Sequence, residues 1–504
     1  MQTDWIQKWA TYSPDRIALK EHETGRNLTY LQLNNLGQQL VTWLQQRFEI
    51  QAKDRIAILA ENSLAHVALF SAAQKANFTL VPINYRLSTP EIEFLLKDAN
   101  PSLLIAEDRF LQALTPYLES PVSLETWAWK DLEAFCDQRK DQLCQKRFPI
   151  QIDEDDPVFL LYTSGTTGFP KGALYTHKML FWNSVNTSIS LIINSESRTI
   201  NCMPFFHTGG WNVLLTPFLH HGGYTCLVKK FEAEAVLNLL AEEKATLFMG
   251  VPTMLNMMAA EPSFHYTSLS SLYYIIVGGE PMPIPLIELW HDKGVPIRQG
   301  YGMTEVGPNL TSLHQDDAVR KKGSIGRSNF YVETRIVDAN GQPVPQNTAG
   351  ELQLKGPMVT PGYWQNPEAT QQAFDGPWFK TGDRVREDEE GYLFVVDRIK
   401  NMFISGGENV YPAEIERILL SHQDILEAAV VGVPDEKWGE VGRAYLCLKE
   451  ASSCEAAQIL KFCHERLAKF KVPKQIVFLS ELPKNDTGKI DRKVLKSSAN
   501  TIQD

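Results

Sequence analysis

The chain is poor in cysteine for its length, and none of its cysteines are paired by spacing. Seven in 504 residues (Cys136, Cys144, Cys202, Cys226, Cys447, Cys454 and Cys463) are odd in number, scattered and free of CxxC pairs. That pattern speaks against a disulfide framework and a zinc site, and fits a reducing cytoplasm. No apolar run reaches membrane-spanning length and no charged-then-apolar leader follows Met1, so no transmembrane segment is expected. Positive charge is not in excess either. Lys and Arg number 49 against 60 Asp and Glu, a formal net charge of −11, which argues against a nucleic-acid-binding surface. No short-period repeat is evident. The composition is that of an ordinary soluble protein, 43% hydrophobic and 22% charged, and the length implies roughly two to four structural units.

The most informative stretch is Thr163-Ser164-Gly165-Thr166-Thr167-Gly168-Phe169-Pro170-Lys171, which follows the apolar run Val158 to Tyr162. It reads as a buried strand running into a hydroxyl- and glycine-rich loop. Gly165 and Gly168 let a backbone approach a phosphate chain closely, the hydroxyls of Thr163, Ser164, Thr166 and Thr167 donate, and Lys171 adds a point charge. The same composition also makes ordinary surface turns. Such a turn has no reason to sit behind a fully apolar strand, and ordering it without a ligand is costly. No Lys-Ser/Thr pair closes the loop, so it is not the Walker pattern.

Strands and helices alternate before the loop. An amphipathic helix is expected from about Tyr30 to Phe48, a strand at Arg55 to Leu59, a helix from Ser63 to Ala76, a strand at Thr79 to Ile83, a helix from Thr89, and a strand at Ser102 to Ala106. This rhythm implies parallel βαβ units. Residues 120–156 are charged and poor in pattern, and read as a connection. After the loop, Pro204-Phe205-Phe206-His207-Thr208-Gly209-Gly210-Trp211 interrupts the rhythm. A lone His among aromatics is often structural, yet the paired glycines here let the backbone come close to a ligand. Ile275-Ile276-Val277-Gly278-Gly279-Glu280-Pro281 is a strand ending on bare backbone, where a flat ring can lie. In Gln299-Gly300-Tyr301-Gly302-Met303-Thr304-Glu305, Tyr301 offers a ring for stacking, Thr304 a hydroxyl, and Glu305 an oxygen ligand suited to Mg²⁺.

From Gly323 to Gly391 short alternating strands with Gly, Pro and Asn turns suggest a small antiparallel barrel or sheet. Asp383, in Thr381-Gly382-Asp383, can bind both hydroxyls of a ribose or equally cap its own turn. A boundary falls at Lys400, beyond which a small α+β pattern begins. Near the end, Pro483-Lys484-Asn485-Asp486-Thr487-Gly488-Lys489 places a lysine after a glycine turn. Most lysines so placed are simply solvated.

Taken jointly, Thr163 to Lys171, Tyr301 to Glu305, Thr381-Gly382-Asp383, Asp397-Arg398-Ile399-Lys400 and Pro483 to Lys489 resemble, in order, the motifs of the adenylate-forming superfamily. The resemblance runs from about residue 10 to 495, and Ser405 to Pro412 looks like the acyl-CoA synthetase version. It implies an α/β fold: a large N-terminal domain (1–399) of βαβ subdomains plus a small antiparallel β-barrel, then a small mobile α+β C-terminal domain (400–504) hinged near Lys400. Asn401 stands where an acidic residue is common. No carrier-protein module is expected after Lys489.

The implied reaction has two halves. A carboxylate attacks ATP to give an acyl-adenylate and pyrophosphate, and coenzyme A, the co-substrate, then displaces AMP. By this resemblance Lys489 would bridge carboxylate and α-phosphate, Thr304 would hold the α-phosphate, and Glu305 would hold Mg²⁺. The 163–171 loop would cradle pyrophosphate. Tyr301, flanked by Gly300 and Gly302, would stack on adenine against Gly278, Gly279 and Glu280. Asp383 and Arg398 would take the ribose, His207 would gate the acyl pocket, and Gly406 and Gly407 would approach the pantetheine arm. The pocket would be lined from Trp211, Asn212, Gly278, Gly279, Gln299, Met303, Val306 and Gly307. These are mostly small or apolar, with no cation for a second carboxylate and no Asp for an amino group. A medium- or long-chain fatty acid is therefore the first expectation, and an aryl acid of the benzoate, cinnamate or succinylbenzoate type the alternative. A nucleotide-binding protein without catalysis is disfavoured by Lys489 and Glu305, and a luciferase by the lack of any visible luciferin pocket. The sequence leaves oligomeric state open, a homodimer among the states it allows.

Overall fold

A computed structural model describes the chain except residues 1–2, 119–123, 145–147, 149–150, 164–169, 280–281, 399–400, 406–407, 436–437, 451, 468, 486–487 and 500–504, and except the side chains of 397, 398, 404, 408, 409, 498 and 499. Its first large layer is a six-stranded sheet in the order Glu125–Ala128, Leu103–Ala106, Arg55–Leu59, Thr79–Pro82, Pro157–Thr163, Lys171–Thr176. All neighbours are parallel except the last pair. The helices expected between them form where their caps permit. Thr29 and Gln32 make a reciprocal capping box on Tyr30–Phe48, and Ser63 caps Leu64–Ala76 through the Ala65 amide. Every residue of Leu64–Ala76 is buried, because the helix lies between the sheet and the helix Tyr30–Phe48.

One expectation changes. Residues 120–156 are not merely a connection: Glu125–Ala128 adds an edge strand and Trp129–Arg139 is a helix. Only Trp129, Leu132, Phe135 and Cys136 face inward, and the charged residues between them hide that stripe. The stretch after the phosphate loop, Lys171–Thr176, is a strand that pairs antiparallel with Pro157–Thr163.

A second sheet runs Leu247–Gly250, Tyr274–Val277, Ile297–Met303, Gly307–Ser312, Arg327–Ser328, parallel through its first three strands and antiparallel thereafter. The switch to antiparallel pairing occurs at residues 300–307, the stretch singled out in the sequence. Glu333–Val337, Ala349–Lys355, Trp378–Glu387, Phe374–Asp375 and Leu393–Arg398 form the expected small antiparallel sheet. Among the described residues, the strands from Phe403 onward pair with one another, around Gly439–Leu448, with apolar clusters on both faces.

Candidate active site

The hairpin register sets Thr163 opposite Lys171, so these two residues bracket the loop. The Thr163 hydroxyl donates to Glu305 Oε1 at 3.2 Å, and the Tyr363 hydroxyl donates to the same oxygen at 3.1 Å. Glu305 lies in the tight turn Thr304–Val306 between two strands, and its carbonyl accepts the Thr360 amide at 2.7 Å. Only 5% of the residue is exposed. Burying a carboxylate this far demands donors or a cation. Among the described residues the side-chain bonds fall on Oε1 and none on Oε2. A held carboxylate with one oxygen uncommitted, in a shell of hydroxyls, suits a hard cation such as Mg²⁺.

The next strand builds a second group. The Tyr301 hydroxyl donates to Asp383 Oδ2 at 2.6 Å. Asp383 is fixed in turn by its own amide, which donates to Thr381 Oγ1 at 3.1 Å, and Thr381 Oγ1 donates to the Leu352 carbonyl at 2.7 Å. Asp383 pairs with Arg398 in the strand register. Gly302 is required by packing, since a β-carbon there would stand 2.3 Å from the Pro308 carbonyl carbon and oxygen. At Gly278 a β-carbon would lie 3.6 Å from the Gly300 carbonyl, so two bare backbones run side by side beneath Tyr301.

Lys489 arrives from the C-terminal region. Lys484 and Ile490 form a bridge, and the turn between them is closed by Asn485 N to Lys489 O at 2.7 Å and Gly488 N to Asn485 O at 2.8 Å. Its side chain reaches Gly279, where a β-carbon would lie 3.7 Å from Lys489 Cε and 3.8 Å from Nζ. His207 feels that charge. Burial first, then the Lys489 ammonium and the Arg86 guanidinium, hold the imidazole down at about 4, so it is neutral near neutral pH.

The structure thus gathers Thr163, Lys171 and Glu305 in one group, Tyr301 and Asp383 in a second, and Gly279, Lys489 and His207 in a third. Thr304 opens the turn that carries Glu305. Four of the other expected residues are buried with protein partners. Trp211 is fully buried in the core, donating its indole N–H to the Phe205 carbonyl at 2.7 Å and packing on Phe159. Asn212 spends its amide on Thr208 and Thr216. Gln299 accepts the Met282 amide and donates to the Ser324 carbonyl, and Val306 is wholly within the core under the antiparallel sheet. Trp211, Gln299 and Val306 each adjoin a glycine, which made them look accessible, yet all four side chains are buried among protein partners. Gly278 and Met303 are half-buried and Gly307 is buried beside Asn183. Ser164, Gly165, Thr166, Thr167, Gly168, Glu280, Lys400, Gly406, Gly407 and the Arg398 side chain lie outside the described residues.

Tyr363 and Arg86 are the residues that sequence reading missed. Tyr363 follows Pro361-Gly362 in a stretch without a motif, and Arg86 sits over the Phe206 ring at 5.5 Å, beside His207. One other polar group, His422, Asp424 and Cys454, gathers ligand atoms within 4.8 Å of one another. There the His422 Nδ1 lone pair already accepts the Asp424 amide at 3.3 Å.

The chain thus has a mixed α/β fold in which a lysine near its end reaches a glycine that follows a central strand. The AMP-binding enzyme family model matches residues 6–364, and the model of that family's C-terminal domain matches 414–489. The chain therefore belongs to the AMP-binding enzyme family, within its acid–thiol ligases, the acyl-CoA synthetases. It is 37% identical over 491 residues to a feruloyl-CoA synthase of Amycolatopsis sp, covering 96% of each chain. It is 35% identical to the long-chain-fatty-acid–CoA ligase FadD13 of Mycobacterium tuberculosis, covering 97% of each. ATP-bound MatB from Rhodopseudomonas palustris superposes over 100% of both chains with a TM-score of 0.92 at 28% identity, and apo MatB over the same extent with 0.81.

Proposed function

We propose that the protein activates an apolar monocarboxylic acid with ATP and Mg²⁺ and transfers the acyl group to coenzyme A. The observation that carries this reading is Lys489 laid against Gly279 beside a neutral His207. An anionic carboxylate attacking an anionic phosphate chain meets a repulsive barrier, and a cation held where the charges converge lowers it. In this reading Lys489 contacts the attacking carboxylate and the α-phosphate oxygens, and Thr304 donates to that phosphate. Lys171 and the hydroxyls of residues 163–167 receive the departing pyrophosphate, with the glycines Gly165 and Gly168 admitting it. Tyr301 stacks on adenine over the Gly278 and Gly300 backbones, and Asp383 with Arg398 takes the ribose. Glu305 would hold Mg²⁺, which when bound draws charge from the phosphate oxygens. His207, uncharged, closes the acyl side without competing with Lys489 for the carboxylate.

The thioester half needs Lys489 withdrawn and a path for the thiol. We assign that change to rotation of residues 400–504 on residues 1–399 about Lys400, which would bring Gly406 and Gly407 to the pantetheine arm. The higher TM-score with ATP-bound than with apo MatB supports an orientation suited to the adenylate-forming half.

For the acid, a medium- or long-chain fatty acid is the first reading, supported by the likeness to FadD13. An aryl acid is the second, favoured by the slightly higher identity to the feruloyl-CoA synthase. Pyrophosphate release across a panel of aliphatic and aryl acids, each with and without coenzyme A, tests both. Turnover that rises with chain length and requires coenzyme A supports the first. Preference for aryl acids overturns it and keeps the reaction. No thioester with any acid sinks the whole proposal.

A further inference from the structure

Tyr363 stands between the two charged groups of the nucleotide site and touches both. Its hydroxyl donates to Glu305 Oε1 at 3.1 Å, and the Lys171 ammonium lies over its ring, 5.4 Å from the centroid. Among the described residues Lys171 Nζ makes no ion pair with a carboxylate. The segment that carries the ring is firmly tied down. Tyr363 bridges Ala173, the Trp364 amide donates to the Gly172 carbonyl at 2.7 Å, the Leu174 amide donates to Gly362 at 3.1 Å, and Thr360 Oγ1 donates to the Leu174 carbonyl at 2.7 Å. These bonds fall on the strand that starts at Lys171, the outgoing arm of the phosphate hairpin. The Thr360 amide also holds the Glu305 carbonyl. One five-residue segment therefore ties the phosphate hairpin to the turn bearing the carboxylate.

We infer that Tyr363 is a positioning residue of the nucleotide site: its hydroxyl orients the Glu305 carboxylate, and its ring keeps the Lys171 ammonium from closing onto that carboxylate as an ion pair. The inference rests on the reading of Glu305 as the cation's ligand and of Lys171 as a pyrophosphate contact. A Lys171–Glu305 pair would satisfy each charge internally and withdraw both from the ligands they serve. A ring is suited to the separation, because its face attracts the cation while its hydroxyl engages the anion. Outer partners of a ligating carboxylate fix its orientation and so its affinity for the metal.

The test uses the full-length protein and Mn²⁺ as an oxygen-seeking, paramagnetic stand-in for Mg²⁺. Binding of Mn²⁺ in the presence of a non-hydrolysable ATP analogue is read by electron paramagnetic resonance, and binding of the analogue is read separately in chelator. Tyr363→Phe keeps the ring and removes only the donor. It is expected to weaken Mn²⁺ binding about 10- to 100-fold, with analogue affinity in chelator unchanged. Tyr363→Leu removes the spacer as well, and is expected to weaken analogue and pyrophosphate binding even in chelator. Wild-type Mn²⁺ affinity in Tyr363→Phe overturns the inference. So does an equal loss of analogue binding with and without metal, which marks a purely structural role. If Tyr363→Leu fails to fold, Tyr363→Phe alone decides. Glu305→Gln separates the two levels: if it binds Mn²⁺ like wild type, the assignment of Glu305 falls and the role of Tyr363 falls with it.

Discussion

Tyr301 and Asp383 belong to different sheets and are joined by one hydrogen bond of 2.6 Å, phenol to carboxylate. The bond fixes the plane of the ring and the direction of the acid together. The proposed adenine platform and ribose anchor are therefore a single unit, assembled before any nucleotide arrives.

Removing the phenol should loosen that unit without touching the chemistry. Tyr301→Phe keeps the stacking face and loses a bond to a charged acceptor, of a kind worth about 1.5–3 kcal/mol. We expect KM for ATP to rise by about tenfold or more on that scale, with kcat nearly unchanged. Steady-state kinetics at saturating acid and coenzyme A check this. A fall confined to kcat would place Tyr301 elsewhere in the mechanism.

Lys489→Ala should lower adenylate formation, followed as pyrophosphate exchange, by about 10²–10³-fold, the usual loss when a group stabilising transition-state charge is deleted. Nucleotide binding should change little. The same substitution removes one of the two cations that depress His207, so the imidazole should titrate above its present value of about 4 while burial keeps it below the ordinary 6.5. Histidine NMR reads this directly. An unmoved His207 resonance would mean that Lys489 does not dwell at the site in solution.

Gly302→Ala should damage the fold locally. Its β-carbon would collide with the backbone of Pro308, which cannot move aside like a flexible side chain. Overpacking of this kind costs about 1–3 kcal/mol, visible as a lower urea midpoint. Loss of ATP binding should accompany it, because the displaced turn carries Glu305. A variant as stable as wild type would contradict the tight turn.

Stability should decline in mild acid. Burial holds His66 and His220 down at about 3 and His177 and His207 at about 4. All four are therefore neutral when folded, while the unfolded chain takes up protons near the ordinary value of about 6.5. The unfolded state binds more protons between those limits, so the stability from these groups is complete above about pH 6.5 and is lost as pH falls toward 4. Urea midpoints measured across that window should fall with pH. Midpoints that stay constant or increase as the pH is lowered would show that these rings are not kept neutral.

Much of this was legible in the chain itself. The alternation of strands and helices, the Tyr30–Phe48 helix, and the small antiparallel sheet all follow from local pattern. So did the stretches that carry Thr163, Tyr301, Asp383 and Lys489, because hydroxyls, glycines and charges are rarely clustered without cause. Side-chain direction was not legible. Trp211 and Val306 sit beside glycines that reach the site, yet turn into the core. Tyr363 carries no local signal, since its meaning comes from a carboxylate 58 positions away. The helix Trp129–Arg139 was hidden because its apolar stripe is only four residues wide.

Lys489 rests on a glycine whose φ is +89° and which has no side chain to hold it off. In the proposed cycle the last segment of the chain would therefore form one side of the site. In that cycle whatever needs the space filled by that lysine must wait for this side to be withdrawn. Acid and nucleotide would come first and the thiol last, in an order set by who is standing in the doorway, however tightly each of them binds.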